Sequence, residues 1–415
     1  MSKAVILIGG PQKGTRFRPL SFDIPKPLFN VAGVPTIQHL IEACIKVPGI
    51  REILIIGFYN AETMSEFLSS MKDYKIKIRY LQEYTSLGTG GGIFHFRDQI
   101  QTGDPEAFFV INGDVCGDFP LVEMRKFHQE KNALITVLGT EATHMQSQQY
   151  GCIVKNNDTN KIVHYVEKPS SFVSTTINCG VYICSPRIYD HLGIIFKNNQ
   201  LDNNFGPWSE VTSSQDSISL EQDVLMKLAG KENVYVFSSS SWWSQMKTAG
   251  SAIYANRHYL DLYHSTHPDW LAKTNSTIGD VFIHPTAKVH PSAILGPNVS
   301  IGKNVVVKAG VRIKESIVLG DAIIFEHALV LHSIIGWNSS VGRWARVEGT
   351  PCDPNPDKPF TKMENVPLFN ETGRLNPSIT VLGCNVHVPS EVIVLNSIVL
   401  PHKDLTQSYK NQIIL

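Results

Sequence analysis

No apolar run in the 415 residues approaches the roughly 20 that a membrane-spanning helix needs. Charge of one sign is also missing: 37 Lys and Arg balance 37 Asp and Glu, for a formal net charge of zero. That balance excludes a generally polybasic surface of the kind that holds nucleic acid or anionic membrane non-specifically. Cysteine is sparse and unpatterned. The seven cysteines, at 44, 116, 152, 179, 184, 352 and 384, contain no C-x-x-C pair. They fit a reducing cytoplasm better than a disulfide framework or a zinc site. The leading run Ala4 to Gly10 is too short for a signal-peptide core and has no small-residue cleavage site behind it. The expectation is a cytoplasmic protein of two or three domains, with 42% apolar residues to build their cores.

What is present falls into two textures. Up to about residue 240, short apolar runs alternate with helically spaced stretches. Strands are expected over Lys3–Ile8, Arg51–Gly57, Lys75–Leu81 and Ala107–Ile111, with helices over Thr36–Lys46, Ala61–Met71 and Gly90–Ile100. Alternation of this kind implies βαβ units and a mostly parallel sheet, a Rossmann-like α/β domain. In such sheets ligands bind at the carboxyl ends of strands, here the loops after Ile8 and Ile111. From Ile283 the texture changes. Ile283, Val289, Leu295, Ile301, Val307, Ile313, Leu319, Phe325 and Leu331 recur every six residues. The pattern resumes after a shift at Ile335, Val341 and Val347, then at Leu382, Val388, Val394 and Leu400. Hexapeptide periodicity is the sequence form of a left-handed parallel β-helix, three hexads to a triangular coil. The expected organisation is a domain over 1–248, a linker helix region over 249–280 (helical spacing from Ala249 to Tyr263), and a β-helix over 281–415. Glu348 to Val381, 34 residues rich in proline, interrupt the hexads. Loops this long are usually functional or disordered.

The first loop reads Gly9-Gly10-Pro11-Gln12-Lys13-Gly14-Thr15-Arg16, with Pro25-Lys26-Pro27 beyond it. Glycines after a strand let backbone N–H groups approach phosphate, and Arg and Lys neutralise it. A nucleotide-triphosphatase P-loop would end G-K-[ST], and Thr15-Arg16 stands in place of that pair. The loop instead resembles the G-G-x-G-T-R…P-K signature of the nucleoside-diphosphate-sugar pyrophosphorylases. Further matches follow in order: Leu87-Gly88-Thr89-Gly90-Gly91, Asn112-Gly113-Asp114, Tyr150-Gly151, Val166-Glu167-Lys168-Pro169 and Ile177-Asn178-Cys179-Gly180. With the hexapeptide region, the resemblance spans nearly the whole chain. Within the family it is most similar to the GDP-mannose pyrophosphorylases (mannose-1-phosphate guanylyltransferases) of the alpha, regulatory kind. The residues that carry this are Gly10-Pro11-Gln12-Lys13-Gly14, Trp243-Ser244-Gln245 and the proline-rich arm.

The resemblance implies roles for individual residues. Leu7, Gly9 and Gly10 would face base and phosphates. Gln82 and Glu83, before Gly88-Thr89, would meet the guanine. Asn112 and Asp114 would lie near ribose and phosphate. Gly151, Glu167, Lys168 and Asn178 would form the sugar side, with Lys168 on a sugar-side phosphate. In active members Mg²⁺ is held by two aspartates and assisted by the loop Arg and Lys, here Arg16 and Lys26. Asp114 matches the first aspartate. Gln245 stands where a W-x-D motif supplies the second, and a neutral amide is a weaker Mg²⁺ ligand. The glycine loop is also two residues too long. Both departures strike the metal and the pyrophosphate, so the catalytic site, made of Asp114, Gln245, Lys26 and Arg16, is expected to be degenerate. What remains is a GDP-mannose sensor that needs no cofactor for binding. Its expected partner is the catalytic beta subunit, with self-association and hetero-oligomer formation through the β-helix and feedback inhibition through the arm. The alternative is an active guanylyltransferase using Mg²⁺ to make GDP-mannose from GTP and mannose 1-phosphate.

Overall fold

A computed structural model describes residues 2–10, 15–203, 217–351 and 367–415. Two compact units emerge. The first holds residues 1–13 and 37–243, the second residues 14–36, 244–357 and 363–415, apart from a short piece of the undescribed arm. The helix Ala249–Thr266, expected in a linker, belongs to the second unit, and so does the segment that follows the glycine loop.

The first unit is built on one nine-stranded sheet. Its strands are β1 (Ser2–Gly9), β2 (Ile50–Gly57), β3 (Lys77–Gln82), β4 (Ala107–Asn112), β5 (Ile135–Glu141), β6 (Gly151–Lys155), β7 (Ile162–Glu167), β8 (Thr176–Cys184) and β9 (Val234–Ser238). The order along the main path is β7-β6-β8-β4-β1-β2-β3, with β5 on β8 and β9 on β5. The strands β4, β1, β2 and β3 run parallel, which brings the carboxyl ends of β1, β3 and β4 to one edge. The helices are α1 (Thr36–Ile45), α2 (Ala61–Ser70), α3 (Gly88–His95), α4 (Leu121–Glu130) and α5 (Ile188–Asn203). Val5, Leu54, Phe108, Val110 and Tyr182 lie in its core, each almost fully buried. Continuous apolar runs such as Val5-Ile6 and Ile53–Ile56 suit strands covered on both faces. The helix expected over 90–100 is two pieces, α3 and a short turn Arg97–Gln101, broken at Phe96. Three consecutive glycines at 90–92 let α3 pack close, since a Cβ on Gly92 would stand 2.5 Å from Glu83 Oε1.

The second unit contains three parallel sheets of seven, five and six short strands, the left-handed β-helix expected from the hexads. Val281 pairs with Val299, an 18-residue coil. From there on Ile317 pairs with Ile334 and Ile323 with Ser340, a 17-residue coil. This corrects Phe325 and Leu331 as anchors, while Ile335, Val341 and Val347 are buried as the shifted pattern expected. A strict period of six points to Phe325 and Leu331, but the fully buried positions are Val318, Ile324, Val330, Ile335, Val341 and Val347. One corner of these 17-residue coils is a residue shorter, so the inward phase slips, and the last coil, Val394 to Tyr409, is 15 residues. At that corner Glu315, His332 and Asn396 adopt left-handed backbone angles of 47°, 45° and 48°. Just after each of them a buried hydroxyl closes the turn. Ser316 Oγ donates to Lys314 O at 2.7 Å and accepts from Ser333 N at 3.1 Å. Ser397 Oγ repeats the pattern, donating to Leu395 O at 2.8 Å and accepting from Gln412 N at 3.3 Å.

The arm expected over 348–381 leaves the stacking undisturbed. Ser333 pairs with Thr380 and Arg346 with Ile393, so the next coil is laid directly on the last. Residues 352–366 of that arm lie outside the described residues, as does Cys352. The sixth helix, α6 (Ala249–Thr266), is started by a capping box between Thr248 and Ser251. It buttresses the β-helix through fully buried Asn256. The Asn256 Oδ1 accepts from Ala32 N at 2.9 Å and from Ser300 Oγ at 2.6 Å. Its Nδ2 donates to Asn298 O at 3.2 Å.

Candidate functional site

The site residues expected in the first unit gather at the carboxyl edge of the sheet. Leu7 pairs with Asn112 at the ends of β1 and β4. Gly113 N then donates to Leu7 O at 2.7 Å, and a Cβ on Gly113 would press on Ile8 and on that carbonyl at 2.9–3.0 Å. This turn sets half-buried Asp114 just beyond the strand end. Gly9 has φ +63°, a left-handed angle that favours glycine, and Gly10 follows it. Gln82 ends β3, and Glu83 behind it is buried, with its N–H donated to Gly57 O at 2.7 Å. Asn112 Oδ1 is buried and has no hydrogen-bond partner among the described residues. An unmatched buried acceptor costs roughly 1–3 kcal/mol, so one at the mouth of a parallel sheet points to a donor that arrives from outside.

Register brings the sugar-side residues to the same level. Val181 pairs with Ile111, Ile177 with Cys152, and Glu167 with Gly151, so Asn178, Gly151 and Glu167 meet just past the end of β4. A chain of hydrogen bonds joins them. Tyr165 Oη donates to Glu167 Oε2 at 2.8 Å. Asn178 Nδ2 donates to Tyr165 Oη at 3.0 Å and to Tyr182 Oη at 2.9 Å, while its Oδ1 accepts from Gly180 N at 2.9 Å. Tyr182 Oη donates to Glu221 Oε1 at 3.0 Å, and Thr89 Oγ1 donates to Glu221 Oε2 at 2.8 Å. Ser219 Oγ adds a third donor to Glu221 at 3.1 Å. The chain therefore runs from Glu167 to Thr89 without a break. Asn178 spends its amide on the two tyrosines and on Gly180, so it positions its neighbours. Burial first, then the adjoining carboxylates, pushes the Tyr165 and Tyr182 phenols well above the usual tyrosine range, and both remain donors at any physiological pH.

Gly151 is needed on steric grounds. A Cβ there would lie 2.0 Å from Tyr165 Oη and 2.7 Å from Glu167 Oε2. At Gly180, φ is +72° and a Cβ would stand 2.8 Å from Asn112 Nδ2, so this glycine lets β8 pass the Asn112 side chain. Lys168 is exposed, at a left-handed φ of 46°, with Nζ 3.5 Å from Glu167 Oε1. Gly88 opens α3 at φ +75°, and Ile218 O accepts from the N–H groups of Gly90 and Gly91 at 2.8 and 3.1 Å. The segment from Ser217 to Leu225 thus closes the start of α3 and delivers Glu221 to Thr89.

Three further expected residues lie in segments grouped with the second unit. Arg16, exposed, and Lys26, half-buried with Nζ 5.9 Å from the Phe17 ring centroid, belong to the second unit, as does Gln245. Trp243, the anchor of its motif, remains in the first unit and donates from Nε1 to Cys179 O at 3.0 Å. Pro11-Gln12-Lys13-Gly14, the over-long part of the glycine loop, lies outside the described residues. Tyr165, Tyr182 and Glu221 were not anticipated. Period two puts Tyr165 beside Glu167 and Tyr182 beside Asn178 on one strand face, which would have found the tyrosines. Glu221 sits on a π-helical turn, Leu220–Leu225, with no motif around it. Such turns are rare and frequently functional.

The nucleotidyl transferase family model matches residues 3–210, and the GMPPB C-terminal domain model matches residues 277–414. A Danio rerio protein named mannose-1-phosphate guanylyltransferase regulatory subunit alpha-A is 57% identical over 423 residues, covering 100% of both chains. The Homo sapiens mannose-1-phosphate guanylyltransferase regulatory subunit alpha is 57% identical over 421 residues, again covering 100% of both. Among solved structures, a Bacillus anthracis protein assigned as a glucose-1-phosphate thymidylyltransferase has a TM-score of 0.50 at 20% identity, over 62% of this chain and 94% of its own. That likeness bears on the fold alone.

Proposed function

The chain belongs to the nucleotidyl transferase family, among the mannose-1-phosphate guanylyltransferase alpha subunits, and from that premise we propose that it is the regulatory subunit of GDP-mannose pyrophosphorylase. It binds GDP-mannose at the carboxyl edge of the α/β sheet and does not turn over. The observation that carries this is the pairing of an intact polar chain from Glu167 to Thr89 with a disabled metal motif. Glu167 and the Gly151 turn hold the sugar, Asn112 Oδ1 takes a ribose hydroxyl proton, Glu83 reads the guanine, and Lys168 meets phosphate.

The donor set does not suit Mg²⁺, which wants several hard oxygen ligands. The neutral Gln245 stands where the motif would supply a second aspartate beside Asp114, and binding without a metal is part of the proposal. The catalytic partner docks through the β-helix, and the 348–381 arm carries the bound state to it, so that product restrains its own synthesis. Coupling of this kind requires that GDP-mannose favour one of two states of the assembly. No helix among the described residues is long and apolar enough to cross a membrane, which accords with a cytoplasmic location.

The test is an assay of pyrophosphate release from GTP and mannose 1-phosphate. The chain alone should release none. Added to the catalytic subunit, it should make the rate sensitive to GDP-mannose. Turnover by the pure chain that disappears in Asp114→Ala would show an active guanylyltransferase instead.

A further inference from the structure

Away from the α/β sheet edge, within the second unit, three side chains of different donor chemistry converge. Asp23, Cys384 and His402 each place a ligand atom within 4.8 Å of the others. They come from three separate stretches of chain. Cys384 and His402 stand one coil apart on the same corner of the β-helix, where His402 N donates to Cys384 O at 2.9 Å. Asp23 arrives from the segment 15–36, which is pinned in the same unit. Phe29 packs edge-on against Trp337 at 6.0 Å, and the Ala32 backbone is held by Asn256 and Tyr263. The three donors therefore rest on fixed backbone, as an ion site needs.

Two further observations set this corner apart. Of the six described free cysteines, Cys384 alone is not buried, so its sulfur is open to an ion from solvent. Its Sγ lies 2.8 Å from Asp23 Oδ2, sulfur against a carboxylate oxygen. Beside it, the Asn385 amide stands 3.2 Å from His402 Nδ1. An ion on Nε2 would require Nδ1 to carry the ring proton and the Asn385 amide to turn so that its Oδ1 accepts from Nδ1–H, the outer contact that orients a metal-binding histidine.

We propose that Asp23, Cys384 and His402 form a Zn²⁺ site that staples the segment 15–36 to the β-helix. Thiolate, imidazole and carboxylate are the ligand set of zinc, and water completes the tetrahedron. Mg²⁺ and Ca²⁺ are disfavoured because they take oxygen donors. The sequence hides the site: its cysteine is unpaired, and the ligands lie far apart along the chain. A second cluster, Asp261, His264 and Asp280, lacks sulfur. There His264 Nε2 sits 2.7 Å from Asp280 Oδ1, a hydrogen-bonded pair.

The test uses the full chain, stripped with a chelator and titrated with Co²⁺, which reports its ligands by absorbance, followed by displacement with Zn²⁺. Expected are tetrahedral cobalt bands with a thiolate charge-transfer band at one ion per chain. Cys384→Ser should abolish the charge-transfer band while circular dichroism is unchanged, and Asn385→Ala should weaken binding about tenfold, in the range for an outer partner. Asp280→Asn should leave the titration as it is. A wild-type spectrum with no charge-transfer band, or a band that survives Cys384→Ser, would overturn the site. So would equal affinity in Asn385→Ala and His402→Ala.

Discussion

The two units bury polar groups in opposite ways. Along one corner of the β-helix the buried hydroxyls are matched to backbone: Ser316, Ser333, Thr380 and Ser397 climb it, all fully buried. Ser316, Ser333 and Ser397 each donate to a carbonyl two residues back. At the sheet edge of the α/β unit the Tyr165 and Tyr182 phenols and the Thr89 and Ser219 hydroxyls converge on carboxylates. Glu221 collects Thr89, Tyr182 and Ser219, and Glu167 collects Tyr165. A carboxylate oxygen has lone pairs beyond one donor, and both glutamates are only half-buried. The corner ladder is closed and structural. The carboxylate chain has acceptor capacity left over, and it sits at the sheet edge where α/β proteins bind ligands.

The contrast predicts that lesions in one unit spare the other. The largest effect should come from Gly151→Ala. Displacing Tyr165 and Glu167 should weaken GDP-mannose binding about 10²-fold, the scale of an ångström-sized misplacement in a site. Calorimetric titration measures the loss, and the β-helix should melt unchanged.

Acid should strike the α/β unit with comparable force. Burial first, then the Arg187 charge, pushes His128 from 6.5 down to about 4, with Nδ1 2.8 Å from Thr136 Oγ1. The folded value lies below the unfolded one, so the unfolded chain takes up the proton first as pH falls. The stability is fully present above about 6.5 and is lost between there and about 4, on the order of 2–3 kcal/mol. Urea melts of wild type and His128→Gln across that range check it, because the variant should lack this part of the slope.

Glu221→Gln comes next. It keeps the shape but turns an NH₂ toward hydroxyl donors, so GDP-mannose should bind about tenfold more weakly, consistent with the roughly 1.5–3 kcal/mol of a charge-assisted hydrogen bond. Unchanged affinity would mean that the Thr89 and Tyr182 ends are independent. The smallest effect belongs to the β-helix. Ser316→Ala orphans the buried Ser333 N–H and should cost about 1–2 kcal/mol in a thermal melt, with no change in GDP-mannose binding.

How legible these units were follows from the same contrast. The parallel sheet and the β-helix could be read because period announces both: apolar runs of strand length in one, hexads in the other. The phase of the later coils could be read in part: the shift at Ile335, Val341 and Val347 showed in the hexads, whereas the earlier slip that buries Ile324 and Val330 did not, because Phe325 and Leu331 are apolar and keep a period of six. The sheet-edge residues Asn112, Gly151 and Glu167 stood in motifs and came together as expected. Glu221 stayed hidden because its partners, Thr89 and Tyr182, lie 132 and 39 residues away in the chain. Asn178 was assigned to the sugar by its motif, whereas its own hydrogen bonds hold Tyr165 and Tyr182. Gln245 was read as a lost metal ligand from three residues of sequence, and no other signal in the chain bears on it.

The central claim is that this chain holds a nucleotide sugar without a metal. The most direct measurement is calorimetric titration of the full chain with GDP-mannose in a chelating buffer, repeated with added Mg²⁺. The account predicts saturable binding of equal affinity in both. Binding that appears only with Mg²⁺ and is lost in Asp114→Ala would contradict it.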